Sequence, residues 1–559
     1  MVVFCIVSVN LQAQQRDVSE AVMTVCGVSD PENVDPLLVE HFCDLIRHPV
    51  RINSASRSQL EASGLFTPYQ MASLSDYLAR HGSICSASEL AAVDGFGNCA
   101  ADMLSPFISF EFCAGISNNR KDFVEAEMSL RGGYKSRTDR DERKSMYGLK
   151  SRLSLTDKII LSLSTSELYD LTGIWPTLCS GNVTWNHRLG KVVVGDFNAR
   201  FGQGLCVWNT ATFSSLTAPS DFMKRPTGIS PSYSFTGSSA MTGIASDFMA
   251  GRWKFSAMVS APGIKNVGSG NKNLVLRPVV NVSRLGRLGH VSLTHTMSFA
   301  DFMSLSYRIP VMMTSVDASA CVRGINMFAE SVYDWVIRRI SVLGGCEFGA
   351  GKSARAAIQA RYLPVSNEHA VAFASEISLN KHRVAFSTEG KYHPQSKSKE
   401  GGDSFQVKGQ ADWIWMPLSC IEVKMRISER FRTWGLAWIT KCRVDVRYLD
   451  ELWKASLRID AVRGADFSCS GYAEAGYTGK MLTVYGRFGL FLVDKWDDRI
   501  YVYERDAPGS FNVPALYGRG FWTSLYASCR FARWGRLYLS GIYKKPGNAE
   551  LKLQCVLHF

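Results

Sequence analysis

The chain runs to 559 residues, too long for one ordinary globular domain and long enough for a large barrel with an appendage. Hydrophobic residues make up 46% of it, which excludes global disorder, yet no run approaches the roughly 18 apolar residues of a membrane-spanning helix. The net charge of +13 hides an asymmetry: residues 1–112 hold five Arg, no Lys and thirteen Asp and Glu, a net of −8, so the remainder carries +21.

Val2 to Val9 form a short apolar opening, followed by the small-residue cleavage pattern Leu11-Gln12-Ala13. Residues 1–13 are therefore expected to be a secretory signal peptide, although a basic n-region is missing. Residues 14–45 follow as an acidic linker or helix.

Residues 46–112 change character. Arg51-Ile52-Asn53-Ser54-Ala55-Ser56 leads to Gln59-Leu60-Glu61, then to Gly64-Leu65-Phe66-Thr67-Pro68 and a helical stretch reaching Tyr77 and Arg80. After a break at His81-Gly82, Ser86 and Glu89 are spaced as a capping box, Gly95-Phe96-Gly97-Asn98 makes a turn, and a last helix closes at Leu104-Ser105-Pro106. The spacing predicts two short helix–turn–helix units in tandem. These motifs resemble the tandem helix-hairpin-helix domain of the competence DNA-receptor family, over about 60 residues. The resemblance implies a Gly-hydrophobic-Gly hairpin whose backbone N–H groups meet a phosphate, with Gly64, Leu65, Gly95, Phe96, Gly97 and Asn98 as the candidate contacts. This chain departs from the pattern twice. Phe66 or Thr67 stands where the second Gly of the first hairpin belongs, and residues 40–112 carry four Arg against eight Asp and Glu. Duplex binding draws on phosphate neutralisation by Lys and Arg, so a docking role is favoured over DNA binding.

Residues 113–559 read as an outer-membrane β-barrel. Ile421, Val423, Met425 and Ile427 alternate with Glu422, Lys424, Arg426 and Ser428, and residues 441–448 and 453–461 repeat the pattern. Such alternation gives each strand one apolar and one charged face. The segments run about 9–13 residues, the length a tilted membrane strand needs. They are expected at 122–134, 145–155, 158–168, 181–188 and 190–199, then from about 240 through 505, and finally near 520–532, 535–545 and 549–559. Trp413, Trp415, Trp434, Trp453, Trp496, Trp522 and Trp534 recur near segment ends, where an interfacial girdle would hold them. The alternating end, Leu551 to Phe559, resembles the C-terminal strand of bacterial outer-membrane proteins that the barrel-insertion machinery reads. At about 18–20 residues per strand and turn, roughly 22–24 antiparallel strands are expected. Residues 202–240, rich in Ser, Thr, Gly and Pro, break the alternation; they either fold into or over the lumen or extend as an outer loop.

The whole arrangement also resembles a group of Bacteroidota outer-membrane proteins in which a helix-hairpin-helix domain precedes a barrel. Gly195-Asp196-Phe197, Phe201-Gly202-Gln203-Gly204-Leu205 and Arg499-Ile500-Tyr501-Val502-Tyr503-Glu504 support it. The fifteen cysteines include no C-x-x-C pair and leave the number of disulfides open. No Walker loop, nucleophile elbow or H-E-x-x-H helix occurs, so no catalytic site, cofactor or metal is expected. Asp497-Asp498 reads as a polar turn, and His187, His290 and His295 as strand-face or loop residues. The sequence thus predicts a mainly β, non-enzymatic outer-membrane barrel, preceded by a small all-α domain in the periplasm that docks on or plugs it, with a role in envelope transport or assembly. The alternative is a DNA-uptake component. The partners to expect are outer-membrane lipid and lipopolysaccharide, the insertion machinery through Phe559, a periplasmic protein and, weakly, DNA.

Overall fold

The computed structural model describes residues 36–111, 124–137, 142–155, 158–165, 179–187, 189–209, 216–235, 240–261, 275–300, 308–349, 353–394, 402–435, 437–510, 512–545 and 547–559. The expected signal peptide, most of the 14–45 segment and the 112/113 boundary lie outside these residues.

Period-2 patterning dictates the wall. In the strand Trp453–Arg463, Leu457 and Ile459 are 50% and 55% exposed while Arg458 and Asp460 are almost fully buried. The apolar side chains therefore face outward and the charged ones face the lumen, the inverse of a soluble core. Among the described residues, 24 such strands close into an antiparallel ring, from Glu125–Arg137 to Asn548–His558, which pair with each other. Closure leaves no unpaired edge. The expected segments match closely: 145–155 is Glu142–Ser154, 190–199 is Gly190–Arg200, and 535–545 is Gly535–Lys544.

Glu127 pairs with His558, so the first strand starts and the last strand ends at one rim. Two-residue turns at 251–252, 323–324, 380–381 and 533–534 lie on that rim. The opposite rim carries the long connections, including 201–240 and 494–517. Exposed aromatics mark the short-turn rim: Trp413 and Trp415 stack on His382, and Trp534 stacks on Phe559. Two expectations fail here. Trp522 is 1% exposed, faces the lumen and donates from Nε1 to Glu504 Oε1 at 2.9 Å, so it belongs to no outer girdle. Residues 494–505 are also not wall: the strand Leu482–Val493 ends before them, and Ile500–Tyr501 pairs only with Ala515–Leu516. The alternation of Ile500, Val502 and Glu504 is real, but it faces their buried side chains to the inner wall.

The helical segment has its own core of Phe42, Ile52, Leu65, Leu74, Ile84, Phe96 and Phe107. Its helices are α1 (Pro36–Arg47), α2 (Arg57–Ser63), α3 (Pro68–His81), α4 (Ala87–Ala91) and α5 (Gly97–Leu104). Val50–Arg51 pairs with Ile108–Ser109 and closes the stretch that carries α2 to α5. Asn53 explains part of the first motif: its Nδ2 donates to the Ile84 and Phe110 carbonyls while its Oδ1 accepts from the Ile84 N–H. Thr67, one of the two residues that stand in place of the hairpin's second glycine, is the N-cap of α3 in a capping box with Gln70, and Pro68 follows at the first turn. Glu89 departs from the expected box. Ser86 Oγ accepts the Glu89 N–H, but Glu89 reaches back to the Cys85 N–H and accepts from the Tyr77 hydroxyl.

Candidate functional site

The helical segment meets lumen-facing residues of the wall at the short-turn rim, and three seats hold it. The first is α2. Glu61 pairs with Lys254 of the strand Trp253–Ser260 and with Arg57 Nε at 2.7 Å. Ser58 Oγ donates to Asp247 at 3.0 Å, and Asp247 also lies 3.5 Å from Lys254 and 3.7 Å from Lys191. Arg57 donates to the Arg252 carbonyl in the rim turn at 3.0 Å. Burial alone would raise the Glu61 carboxyl, but the Lys254 and Arg57 charges hold it down at about 2.

The second seat is α1. Lys150 lies 3.0 Å from Glu40 and 3.5 Å from Asp44, while Arg47 and His48 reach Glu127 at 2.8 and 2.9 Å. Against the effect of burial, Lys150 and Arg47 keep the Asp44 carboxyl below its ordinary value. The acidic excess of the segment is thus placed against lumen cations.

The third seat is the connection 201–240, whose described parts fold into the lumen. Phe222 and Met223 pack on Phe328, Leu343 and Ala357 of the inner wall. Arg225 donates to the Leu65 carbonyl at 3.0 Å, and Ser234 Oγ donates to Glu40. The connection is itself anchored by Glu330, whose Oε2 accepts the Gln203 and Leu205 N–H groups at 2.6 and 3.0 Å. Gly202 has φ +67°, and a Cβ there would come within 2.8 Å of the Glu330 carboxylate. The Gly-Gln-Gly motif therefore cradles an internal carboxylate. In the same connection Asp221 is pushed up to about 7 by burial, although the Ala218 and Thr217 N–H groups favour its charge.

The described parts of a second connection, 494–517, also fold inward, with no sequence signal that sets them apart. Asp506 pairs with Lys552 at 2.7 Å, Arg505 with Glu474 at 3.2 Å, and the Pro508 carbonyl accepts from Arg131 at 3.1 Å. The Asp497-Asp498 pair lies in its opening turn, where Asp498 accepts the Ala465 and Asp466 N–H groups. Cross-strand charge pairs line the wall nearby; none of them could be assigned to a partner from sequence alone.

The hairpin candidates separate into two groups. Gly64 takes φ +67° as the C-cap of α2, with its N–H on the Glu61 carbonyl; Leu65 is buried, with its N–H on Ser63 Oγ. Thr227 covers Gly64 at 3.1 Å from a built Cβ. At the second hairpin Gly95 and Asn98 are exposed, Phe96 is buried edge-on to Phe66, and a Cβ on Gly95 would strike the Tyr69 ring. Gly97 and Asn98 open α5, which has no side-chain cap. His290 is buried against Asp317 and Ser319, and among the described residues no group of three or more His, Cys, Asp or Glu could hold a metal ion.

No family model matches the sequence, and no curated protein matches it. Solved structures similar to it include the copper transporter OprC, 7% identical with a TM-score of 0.43 over 78% of this chain and 80% of that one. The siderophore receptor PirA from Pseudomonas aeruginosa is 7% identical with a TM-score of 0.41 over the same shares. The E. coli P pilus tip assembly intermediate PapC-PapD-PapK-PapG is 8% identical with a TM-score of 0.48, over 78% of this chain and 61% of that one. At these values the likeness extends to the fold and no further.

Proposed function

We propose that the chain is an outer-membrane conduit of the envelope, non-enzymatic, whose lumen is closed at the periplasmic rim by the N-terminal helical domain acting as a plug. The observation that carries this reading is the seating of an acidic helical unit on lumen cations, Glu61 on Lys254 and Glu40 on Lys150. The outward apolar face and the aromatic rim support a lipid-embedded wall. Short turns are the periplasmic ends of bacterial barrels, and they share a rim with the helical unit. Phe559 stacks on Trp534 and exchanges backbone hydrogen bonds with Ala126 across the closing seam, where the insertion machinery would read it. On this reading the first hairpin serves docking, since Arg225 and Thr227 of the inward connection cover Leu65 and Gly64.

The test is permeability. In a Gram-negative host, the doubly substituted Glu61→Lys and Asp44→Lys chain should admit a large hydrophilic antibiotic such as vancomycin, and the parent chain should not. Equal sensitivity at equal outer-membrane abundance would overturn the plug reading.

A second reading, DNA capture, is favoured only by the exposure of Gly95 and Asn98. The nearby carboxylates Glu89, Asp94 and Asp102 oppose it. The chain should bind duplex DNA no better than about 10⁻⁴ M at physiological salt. Micromolar binding with a steep salt slope, abolished by Gly97→Glu, would reverse the preference.

A further inference from the structure

We propose that Lys408, Arg430 and Lys441 form an oxyanion-binding site on the lumen wall, near the rim with the long connections, for a solute bearing phosphate or carboxylate groups. The three lie on consecutive strands, Ser404–Leu418, Ile421–Arg432 and Trp438–Leu449. Their positions alternate with the outward Val407, Met425 and Val444, so they share the lumen face with Asp412, Lys424 and Asp445. Register brings them together. Lys408 stands directly opposite Arg430, and Lys441 stands opposite Ser428, the next lumen-facing position on the same strand.

The charge here is not balanced locally. The lumen-facing positions of these three strands hold eight Lys and Arg against three carboxylates, Asp412, Glu422 and Asp445. The carboxylates in reach already have partners. Asp412 accepts from Arg426 at 2.5 Å, Asp445 from Arg458 at 2.5 Å, and Asp460 from Arg443 at 2.5 Å. Glu389, opposite Lys408, is held by Arg361 at 3.0 Å and Lys391 at 3.4 Å. Among the described residues none comes within ion-pair distance of Lys408, Arg430 or Lys441, and the buried Arg430 Nε has no hydrogen-bond partner. The inward connection 494–517 brings charges of opposite sign, Asp497 and Arg499, toward Arg430 and so adds no net counter-charge.

Like charges directly opposite on a strand pair destabilise it. An oxyanion between them removes that penalty and supplies the missing acceptor: a guanidinium forks onto two oxygens, and ammonium groups add point charge. The helical domain is seated on other strands, so this site stands whether or not that domain is a plug.

The full chain in detergent tests it, through the temperature midpoint of its heat-modifiable gel shift, with ionic strength matched by sodium chloride. Sodium pyrophosphate and sodium succinate are the probes, and their comparison tells phosphate from carboxylate. At least one should raise the midpoint by about 2 °C or more. The triple variant Lys408→Gln, Arg430→Gln, Lys441→Gln should start at an equal or higher midpoint, because repulsion is relieved, and should not respond. No shift by either probe in the parent chain overturns the proposal, as does a triple variant that responds like the parent or starts lower. If the triple variant forms no barrel, Lys408→Gln alone carries the test, and an undiminished shift overturns the proposal.

Discussion

The Glu61 carboxylate and the Lys254 ammonium form an ion pair that is closed to solvent, with Glu61 9% and Lys254 2% exposed. One partner belongs to the helical domain and the other to the wall, so this contact couples the two. Breaking a buried pair by removing one charge leaves the other uncompensated, at a cost of about 3–5 kcal/mol. Glu61→Gln should therefore loosen α2 from the wall, seen as faster hydrogen exchange in residues 57–63 while the wall strands stay protected. Glu61→Leu combined with Lys254→Met should recover much of the loss. Unchanged exchange in Glu61→Gln would remove α2 from the list of seats.

The same carboxyl sets an acid limit. Its folded value of about 2 lies below the ordinary 4.5, so its stabilisation is present above about 4.5 and is lost as pH falls toward 2. Asp221 has the opposite sign. Its folded value of about 7 lies above the ordinary 3.8, so its contribution is full below 3.8 and lost as pH rises through about 7. Exchange protection of residues 216–229 should fall between pH 5 and pH 8, and Asp221→Asn should flatten that dependence. A pH-independent parent chain would contradict the buried, protonated Asp221.

Gly202→Ala should free the inward connection. The substitution places a Cβ at φ +67° and against the Glu330 carboxylate, a strain of about 1–3 kcal/mol before any loss of the Gln203 and Leu205 hydrogen bonds. Limited proteolysis near residues 202–209 should become faster. Resistance equal to the parent chain would show that Glu330 is not the anchor.

Trp522→Phe keeps an aromatic, though smaller, side chain and removes the donor to Glu504, leaving a buried carboxylate that is 1% exposed and one bond poorer. A loss of about 1–3 kcal/mol, read as a lower unfolding midpoint, is expected. No change would mean that Ser524 and Arg487 alone satisfy Glu504.

The wall was legible because its signal is local: Ile427 beside Arg426, or Ile459 beside Arg458, declares two faces within a few residues. The Gly, Ser and Pro content of 202–240 likewise announced a departure from the wall. What the sequence could not convey were relations between distant residues. Glu61 and Lys254 are 193 positions apart, and nothing near either names the other. Residues 499–504 carry the signal of a wall strand because Ile500, Val502 and Glu504 alternate as one does, though against the inner wall. Trp522 was misplaced because an aromatic near a strand end looks alike from either face; register alone puts it inside, opposite Gly489.

The central claim, that the helical domain closes the conduit, is tested most directly by single-channel current through the full chain in a planar bilayer. The parent chain should give small, infrequent steps, and the Glu61→Lys, Asp44→Lys variant should give steps several-fold larger, as expected when a domain seated on Lys254 and Lys150 is driven off by like charge. Equal currents from the two, with both barrels intact by heat-modifiable mobility, would contradict the account.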